Sequence, residues 1–383
     1  MGWRHVEVSS ERISFVEEAS AGLRSLSELC RAYGISRPTG HLWLKRYRES
    51  GLSGIAERSR EPLHSPRRSG VELEERIVDL RQRYPEWGAR KLGVLLEKSD
   101  IKVPSSTVHR ILKRRGLVNP LDSHGEATRR FCRELPNQLW QMDFKSPKGW
   151  GAHQGPLSVL DDHSRYVLVL EHLPTGSGEE VQEKLESAFR SCGVPEAMLM
   201  DHGSPWWNTN SAGGWTRLSV WMMRVGIRLY FCRTRHPQTQ GKVERFHGSL
   251  EMARRRRPQP APNQIKAWLD QYRHEYNHVR PHEALKMDTP AKHWKPSSRI
   301  FTQPQDPVYP PDAEVYRVNA NGGIRLKNRT WQIAGALVKQ HVRVERIQHR
   351  ALVFYGQTLI RELDLAGLGS TIVEPSPANY LKL

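Results

Sequence analysis

Cysteine is scarce, acids are outnumbered by bases, and no long apolar run occurs. The four cysteines, Cys30, Cys132, Cys192 and Cys232, are scattered over 383 residues without a Cys-x-x-Cys pair. That excludes a disulfide scaffold, argues against a cysteine-based zinc site and fits a reducing cytoplasm. No stretch approaches the ~18 apolar residues of a spanning helix, and the opening MGWRHVEVSS has no signal-peptide apolar region, so no membrane partner is expected. The 17 histidines show no ligand-like spacing. Against 41 Asp and Glu stand 59 Lys and Arg, a formal charge of +18 spread along the chain. Such a charge favours a polyanion, most simply nucleic acid, whose binding releases counterions. The length predicts roughly two to three domains.

The pattern over SLSELCRAYGISRPTGHLWLKRYRESG, residues 25–51, is helix, short turn, helix. Leu26, Leu29, Cys30 and Tyr33 form one apolar stripe, Gly34 breaks it, Ser36 caps the next helix and Pro38 sits in its first turn. The second helix buries Leu42, Trp43 and Tyr47 and leaves Arg37, His41, Lys45, Arg46 and Arg48 available. An αα-hairpin of any bundle has this plan, but basic residues concentrated on the second helix point to a helix-turn-helix reading DNA. A Pro/Ser/Arg-rich linker follows at 59–70, then a similar plan recurs over 71–125 as a second helix-turn-helix DNA-binding module, and two such modules in tandem would grip an extended duplex site. There Ser105 and Ser106 are candidate caps for TVHRILKRRG, a helix bearing Arg110, Lys113, Arg114 and Arg115 and ending at Gly116.

Near residue 137 the period changes. QLWQMDFK alternates as a strand, and PLSVLDDHSRYVLVLEHL predicts a hairpin about a DDHS turn. GSGEEVQEKLESAFRSCG reads as a helix, PEAMLMDHGSP as a strand ending at Asp201, TRLSVWMMRVG as a helix and GIRLYFCR as a strand. HPQTQGKVERFHGSL then passes from loop to helix, with Gly241, Glu244, His247 and Glu251 on one face and Val243, Phe246 and Leu250 on the other. NQIKAWLDQYRHEYNHVRP closes this α/β region, which spans 126–298. From 299 to 383 the composition turns to Val, Ile, Tyr and Trp with NGG and YG turns, predicting about five antiparallel strands in a small barrel or open sheet. The fold class is therefore multidomain: N-terminal all-α modules (1–58 and 71–125), a central α/β domain and a small all-β domain.

Three acids sit where apolar elements place them: Asp143 on a strand, Asp201 at the end of another, Glu244 on a helix. They are separated by 57 and 42 residues. Crowded carboxylates repel, and divalent cations relieve the repulsion. Two Mg²⁺ ions about 3.5–4 Å apart would clamp the attacking and leaving oxygens of a phosphodiester. Asp161 and Asp162, in the hairpin turn, are assigned structural work through local backbone hydrogen bonds. Asn277, Arg280, Pro281 and His282 are expected to fix the closing helix against the core.

LWQMDF, VLDDHSRYVL, DHGSPW, HPQTQGKVERFHGSL and YNHVRPHEALKMDTPAKHW, in this order, resemble the DDE transposases of bacterial insertion sequences, relatives of retroviral integrases with a ribonuclease H-like core. The resemblance covers about residues 20–300 and extends into the β-rich tail. It implies Asp143, Asp201 and Glu244 as catalytic triad and metal ligands, two Mg²⁺ ions with Mn²⁺ as a substitute, and Gln238, Gly241 and Lys242 in a loop approaching DNA. Arg245 and Arg254 on the following helix join the expected DNA contacts. His202, where the family often carries Asn, is not counted in the site. The expected activity is binding of terminal inverted repeats, hydrolysis at the 3′ ends and joining to target DNA by transesterification. A homo-oligomer on double-stranded DNA, dimer or tetramer, in the bacterial cytoplasm at the nucleoid, is implied. The rival reading, a domesticated DNA-binding regulator, predicts a broken carboxylate, and none is broken. Two departures stand out. The interval from Asp201 to Glu244 is longer than the family's, with GGW at 213–215 as the insertion, and Glu251 replaces a basic residue, with Arg254 and Arg255 expected to reach back and supply the missing charge.

Overall fold

The computed structural model describes residues 8–56, 69–118, 132–146, 148, 150, 155–208, 213–232 and 240–373. Two compact units divide the chain, residues 1–70 and 71–383. The expected contact Gln238 and most of the linker at 59–70 lie outside the described residues.

The first unit contains α1 (Val8–Ala21), α2 (Leu26–Ala32) and α3 (Arg37–Ser50). No apolar stripe announces α1, because its apolar and acidic residues are not segregated by face. It is held by tertiary packing of Phe15 and Val16 against Leu29, Cys30, Ile35, Trp43 and Ile55. The turn follows the expected chemistry. Ser25 and Glu28 form a reciprocal capping box on α2, Gly34 takes φ +67°, and the Ser36 hydroxyl accepts the Thr39 amide at 3.3 Å. A Cβ at Gly40 would lie 2.4 Å from Cys30 Sγ, so this close approach of α3 to α2 requires glycine.

In the second unit α4 (Val71–Arg83), α5 (Ala89–Glu97) and α6 (Ser105–Arg114) surround Ile77, Trp87, Leu92, Leu96, Val108 and Ile111. The N-cap of α6 is Pro104, without a side-chain bond, in place of the expected serines. A five-stranded sheet follows, built from β1 (Trp140–Phe144), β2 (Leu157–Asp161), β3 (Val167–Glu171), β4 (Ala197–Met200) and β5 (Arg228–Phe231), in the order β3-β2-β1-β4-β5. The first three strands are antiparallel, and β4 and β5 run parallel to β1. Period-two alternation sorts the side chains. Trp140, Met142, Leu157 and Val159 face α7 (Gly178–Cys192) and α8 (Arg217–Arg224). On the other face lie α9 (Gly241–Arg256) and α10 (Ile265–His278), which pack Phe246, Leu250, Leu269, Tyr272 and Tyr276 against Leu160, Val167 and Leu170. Asn277 works as expected: its amide bonds both N–H and C=O of Val167, at 2.8 and 2.9 Å.

Among the described residues the tail holds seven strands rather than about five. A sheet β12-β11-β10-β9-β6 consists of β6 (Val315–Arg317), β9 (His341–Ile347), β10 (Arg350–Tyr355), β11 (Thr358–Asp364) and β12 (Ser370–Ile372). A separate hairpin pairs β7 (Gly323–Leu326) with β8 (Arg329–Gln332). These strands are continuous with the central core. Trp331, Ile333 and Leu337 belong to the same buried cluster as Trp207, Trp215 and Leu218. The GGW segment is where they meet: Gly213, at φ +113°, approaches Ile333 so closely that a Cβ would stand 2.4 Å from its carbonyl oxygen.

A buried ion triad ties α4–α6 to the central domain. Arg257, just past α9, donates to Glu86, in the turn between α4 and α5, and to Glu275 of α10, while Arg256 reaches the Pro85 carbonyl at 3.2 Å. The three charged side chains are only 13%, 3% and 12% exposed. Removing the single cation would strand two carboxylates. Arg257→Met should therefore lower unfolding free energy by about 3–5 kcal/mol in urea titrations. Adding Glu86→Gln and Glu275→Gln to that variant should recover most of the loss.

Candidate active site

Strand β1 presents Gln141 and Asp143 on the face opposite Trp140 and Met142, towards α9. Asp201 follows the last residue of β4, and β1 and β4 are paired neighbours, so the two aspartates emerge beside each other at adjacent strand ends. Glu244 projects, exposed, from the first turn of α9. The charges converge. Burial, then Asp201 and Glu244, push the Asp143 carboxyl up to about 7. The thiol of Cys232, just beyond β5, is pushed up to about 12 by burial, Asp201, Asp143 and Glu244, so it reports the same meeting point from a third strand.

Asp201 Oδ1 accepts the Gly203 amide and the Trp206 indole N–H, both at 2.9 Å; its Oδ2 takes part in neither bond. His247, one turn past Glu244, was read with the polar face of the helix but is buried. Its Nε2 lies 3.0 Å from Ser158 Oγ, and its Nδ1 is 3.7 Å from Asp143. Burial and Lys145 hold His247 down to about 3, so it is neutral and makes no ion pair there. Neither Cys232 nor His247 was singled out in the sequence as part of this site; their elements carried no sign of which neighbour they meet.

Among the described residues no group of three His, Cys, Asp or Glu side chains could hold a metal ion as it stands. The three acids interact through their charges at longer range. Their chemistry nevertheless suits a hard, oxygen-ligated cation: carboxylates only, partly desolvated, with one proton affinity raised by its neighbours.

The remaining candidates divide by what they touch. On α3, Arg37, His41 and Lys45 are exposed, and Arg46 lies over the Trp43 ring at 4.9 Å, with Arg12 at 4.2 Å. On α6, Arg110, Lys113 and Arg114 are exposed, and Arg114 also donates to the buried Glu74, as does Arg115. Arg245 is exposed on α9. Arg254 and Arg255 do reach back, and both pair with Glu251 itself, at 2.8 and 2.7 Å; the Arg254 hydrogen bonds are the main reason that carboxyl falls to about 2. Lys242 points inward, 2.5 Å from Asp162 Oδ2 and 14% exposed; burial lowers its pKa against the pull of Asp162. Asp161 and Asp162 do the expected structural work, Asp161 accepting from the Asn137 and Ser164 amides.

Comparison with known proteins adds to this geometry. Integrase core domain models match residues 133–237 and 225–290. A helix-turn-helix domain matches 11–62 and a homeodomain-like domain 39–112. The insertion element IS476 uncharacterized 39.2 kDa protein of Xanthomonas euvesicatoria is 24% identical over 318 residues, covering 76% of this chain and 89% of that one. The insertion element IS407 uncharacterized 31.7 kDa protein of Burkholderia multivorans is 26% identical over 246 residues, covering 61% and 86%. The transposase for transposon Tn552 of Staphylococcus aureus is 22% identical over 272 residues, covering 62% and 54%.

The raised Asp143 pKa has a direct consequence for stability. The folded state binds this proton more tightly than an unfolded aspartate does. Its contribution is therefore full below pH ~4 and is lost as pH rises through about 7. In chelator-containing buffer, Asp143→Asn should raise the melting temperature at pH 8 and leave it nearly unchanged at pH 4. Equal shifts at both values would mean that Asp143 titrates normally.

Proposed function

We propose that this chain, which belongs to the integrase-core transposases of insertion sequences, cuts and joins DNA at the Asp143–Asp201–Glu244 site. The observation that carries the reading is the convergence of the three charges, from two paired strands and one helix, inside the two stretches that match integrase core domains, 133–237 for Asp143 and Asp201 and 225–290 for Glu244. Helices α2 and α3 would place Arg37, His41, Lys45 and Arg46 against the terminal inverted repeats, with Arg110 and Lys113 of α6 as further phosphate contacts. In the first step water attacks the scissile phosphorus, and the bond to the element's 3′ oxygen breaks, leaving a free 3′-OH. In the second, that hydroxyl attacks a target phosphodiester, a target 3′ oxygen leaves, and the element is joined. No covalent bond to the protein forms.

Asp143 and Asp201, with Glu244 opposite, would hold two divalent cations, Mg²⁺ or Mn²⁺. When bound, these supply charge for the attacking and leaving oxygens and favour the deprotonated nucleophile. The protein's own part is placement. Asp201 is oriented by Gly203 and Trp206, and Asp143 is kept partly desolvated so that its carboxylate is better stabilised by a cation than by water. Because two ends have to be brought together, the active form would be a homo-oligomer on DNA at the nucleoid. No helix among the described residues is long and apolar enough to cross a membrane.

The test is incubation of labelled terminal-repeat DNA with Mg²⁺ and a target duplex, scored for nicked and joined products. Asp143→Asn, Asp201→Asn and Glu244→Gln should each lower cleavage by roughly three orders of magnitude or more while repeat binding persists. Cleavage surviving in all three variants would remove the carboxylates from the chemistry. Repeat binding with no cleavage by the unaltered chain would favour a DNA-binding regulator instead.

A further inference from the structure

Glu244 is exposed on α9, and its position relative to Asp143 depends on how the start of that helix is held. The helix lacks an ordinary cap: the N-cap residue Gln240 makes no side-chain capping bond. What holds it comes from the sheet. Gln141 Oε1 accepts the Val243 amide at 3.3 Å, and Gln240 Nε2 donates to the Met142 carbonyl at 3.3 Å. Lys242 runs inward to Asp162, with Nζ 2.5 Å from Oδ2 and 2.9 Å from the carbonyl oxygen. The pair closes on Gln141, whose Nε2 donates to Asp162 Oδ1 at 2.8 Å. Asp162 itself is fully buried and fixed by two backbone bonds, its Oδ2 accepting the Arg133 amide at 2.8 Å and its own amide donating to Leu139 at 2.9 Å.

The register of these contacts gives them meaning. Gln141 stands two residues before Asp143 and shares its face of β1. Lys242 stands two residues before Glu244 in the first turn of α9. Each acid is thus two residues from one arm of the same cluster, and Asp162 joins the arms. A buried Lys–Asp pair is a poor device for stability alone, since well-packed apolar residues often serve as well or better; in some proteins such buried polar groups instead specify one arrangement over its neighbours. From this we infer that Asp162, Lys242 and Gln141 form a positioning clamp that sets the separation of Asp143 and Glu244, so that Lys242 acts on the chemistry through α9 rather than by touching DNA. The inference rests on the proposed triad and goes beyond it.

The experiment compares the unaltered full chain with Lys242→Met/Asp162→Asn, which removes both charges together, and with Gln141→Met, which leaves the ion pair in place. Three quantities are read: deuterium uptake in the first turn of α9, Mn²⁺ affinity by calorimetry, and kcat and KM for cleavage of the element's own terminal duplex. The clamp predicts faster uptake, Mn²⁺ binding weakened ~10-fold or more and kcat reduced by a similar factor, with KM for DNA little changed. Should the double variant fail to fold, Gln141→Met decides by the same readings. A folded variant with unchanged uptake, Mn²⁺ affinity and kcat overturns the clamp. So does a rise in KM with kcat unchanged, which would make Lys242 a phosphate contact. If the unaltered chain neither binds Mn²⁺ nor cleaves DNA, the metal-dependent reading of the site falls, and deuterium uptake alone then supports or overturns the clamp.

Discussion

Three carboxylates whose charges reach one another repel, and the surrounding chain has to hold them against that repulsion. The cost is visible at Asp143, where burial and the two other acids lift the carboxyl to about 7. The elements carrying the acids resist by different means. Strands β1 and β4 are neighbours in a hydrogen-bonded ladder, so the separation of Asp143 and Asp201 follows from backbone pairing. Helix α9 has no such ladder and is held by side chains: Gln141, Asp162, Lys242 and Gln240 at its start, Phe246 and Leu250 against the sheet, and the Arg257 triad at its end. Glu244 is consequently the acid whose place depends most on side-chain chemistry.

The same accounting changes the meaning of the +18 charge. Many cations already have acidic partners. Arg114 and Arg115 converge on Glu74, Arg254 and Arg255 on Glu251, Arg257 on two glutamates, and Lys242 on Asp162. Such pairs organise the fold and present less charge to solvent than a residue count implies. Arg37, His41, Lys45, Arg110, Lys113, Arg114 and Arg245 are the expected contacts that stay exposed, Lys45 beside Glu49 and Arg114 on Glu74, and they concentrate on α3, α6 and the start of α9.

Docking of the tail uses the segment between Asp201 and Glu244. Segment 213–215 brings Gly213 against Ile333 and places Trp215 in the shared core, so these residues form a seat for the β-rich tail. Because this seat lies between Asp201 and β5, the tail's packing bears on the loop that follows the second acid.

Local pattern by itself determined most elements and the mixed α/β character of the central domain. Alternation marked β1, strand-like runs about the DDHS turn marked β2 and β3, the Ser36 cap and Gly34 marked the turn before α3, and the position of each acid on a strand end or first helical turn was legible. These are short-range properties, set by backbone preference and by which side of an element is apolar. Tertiary structure alone decided α1, whose residues show no stripe and fold only because Phe15 and Val16 find a shared core. It also decided which polar side chains turn inward. His247 and Lys242 look like surface residues on a charged helix, yet one meets Ser158 and the other Asp162, 89 and 80 residues away. A pattern along the chain records where a side chain leaves its own helix. The identity of the partner waiting there belongs to a distant segment, and only the folded sheet brings the two together.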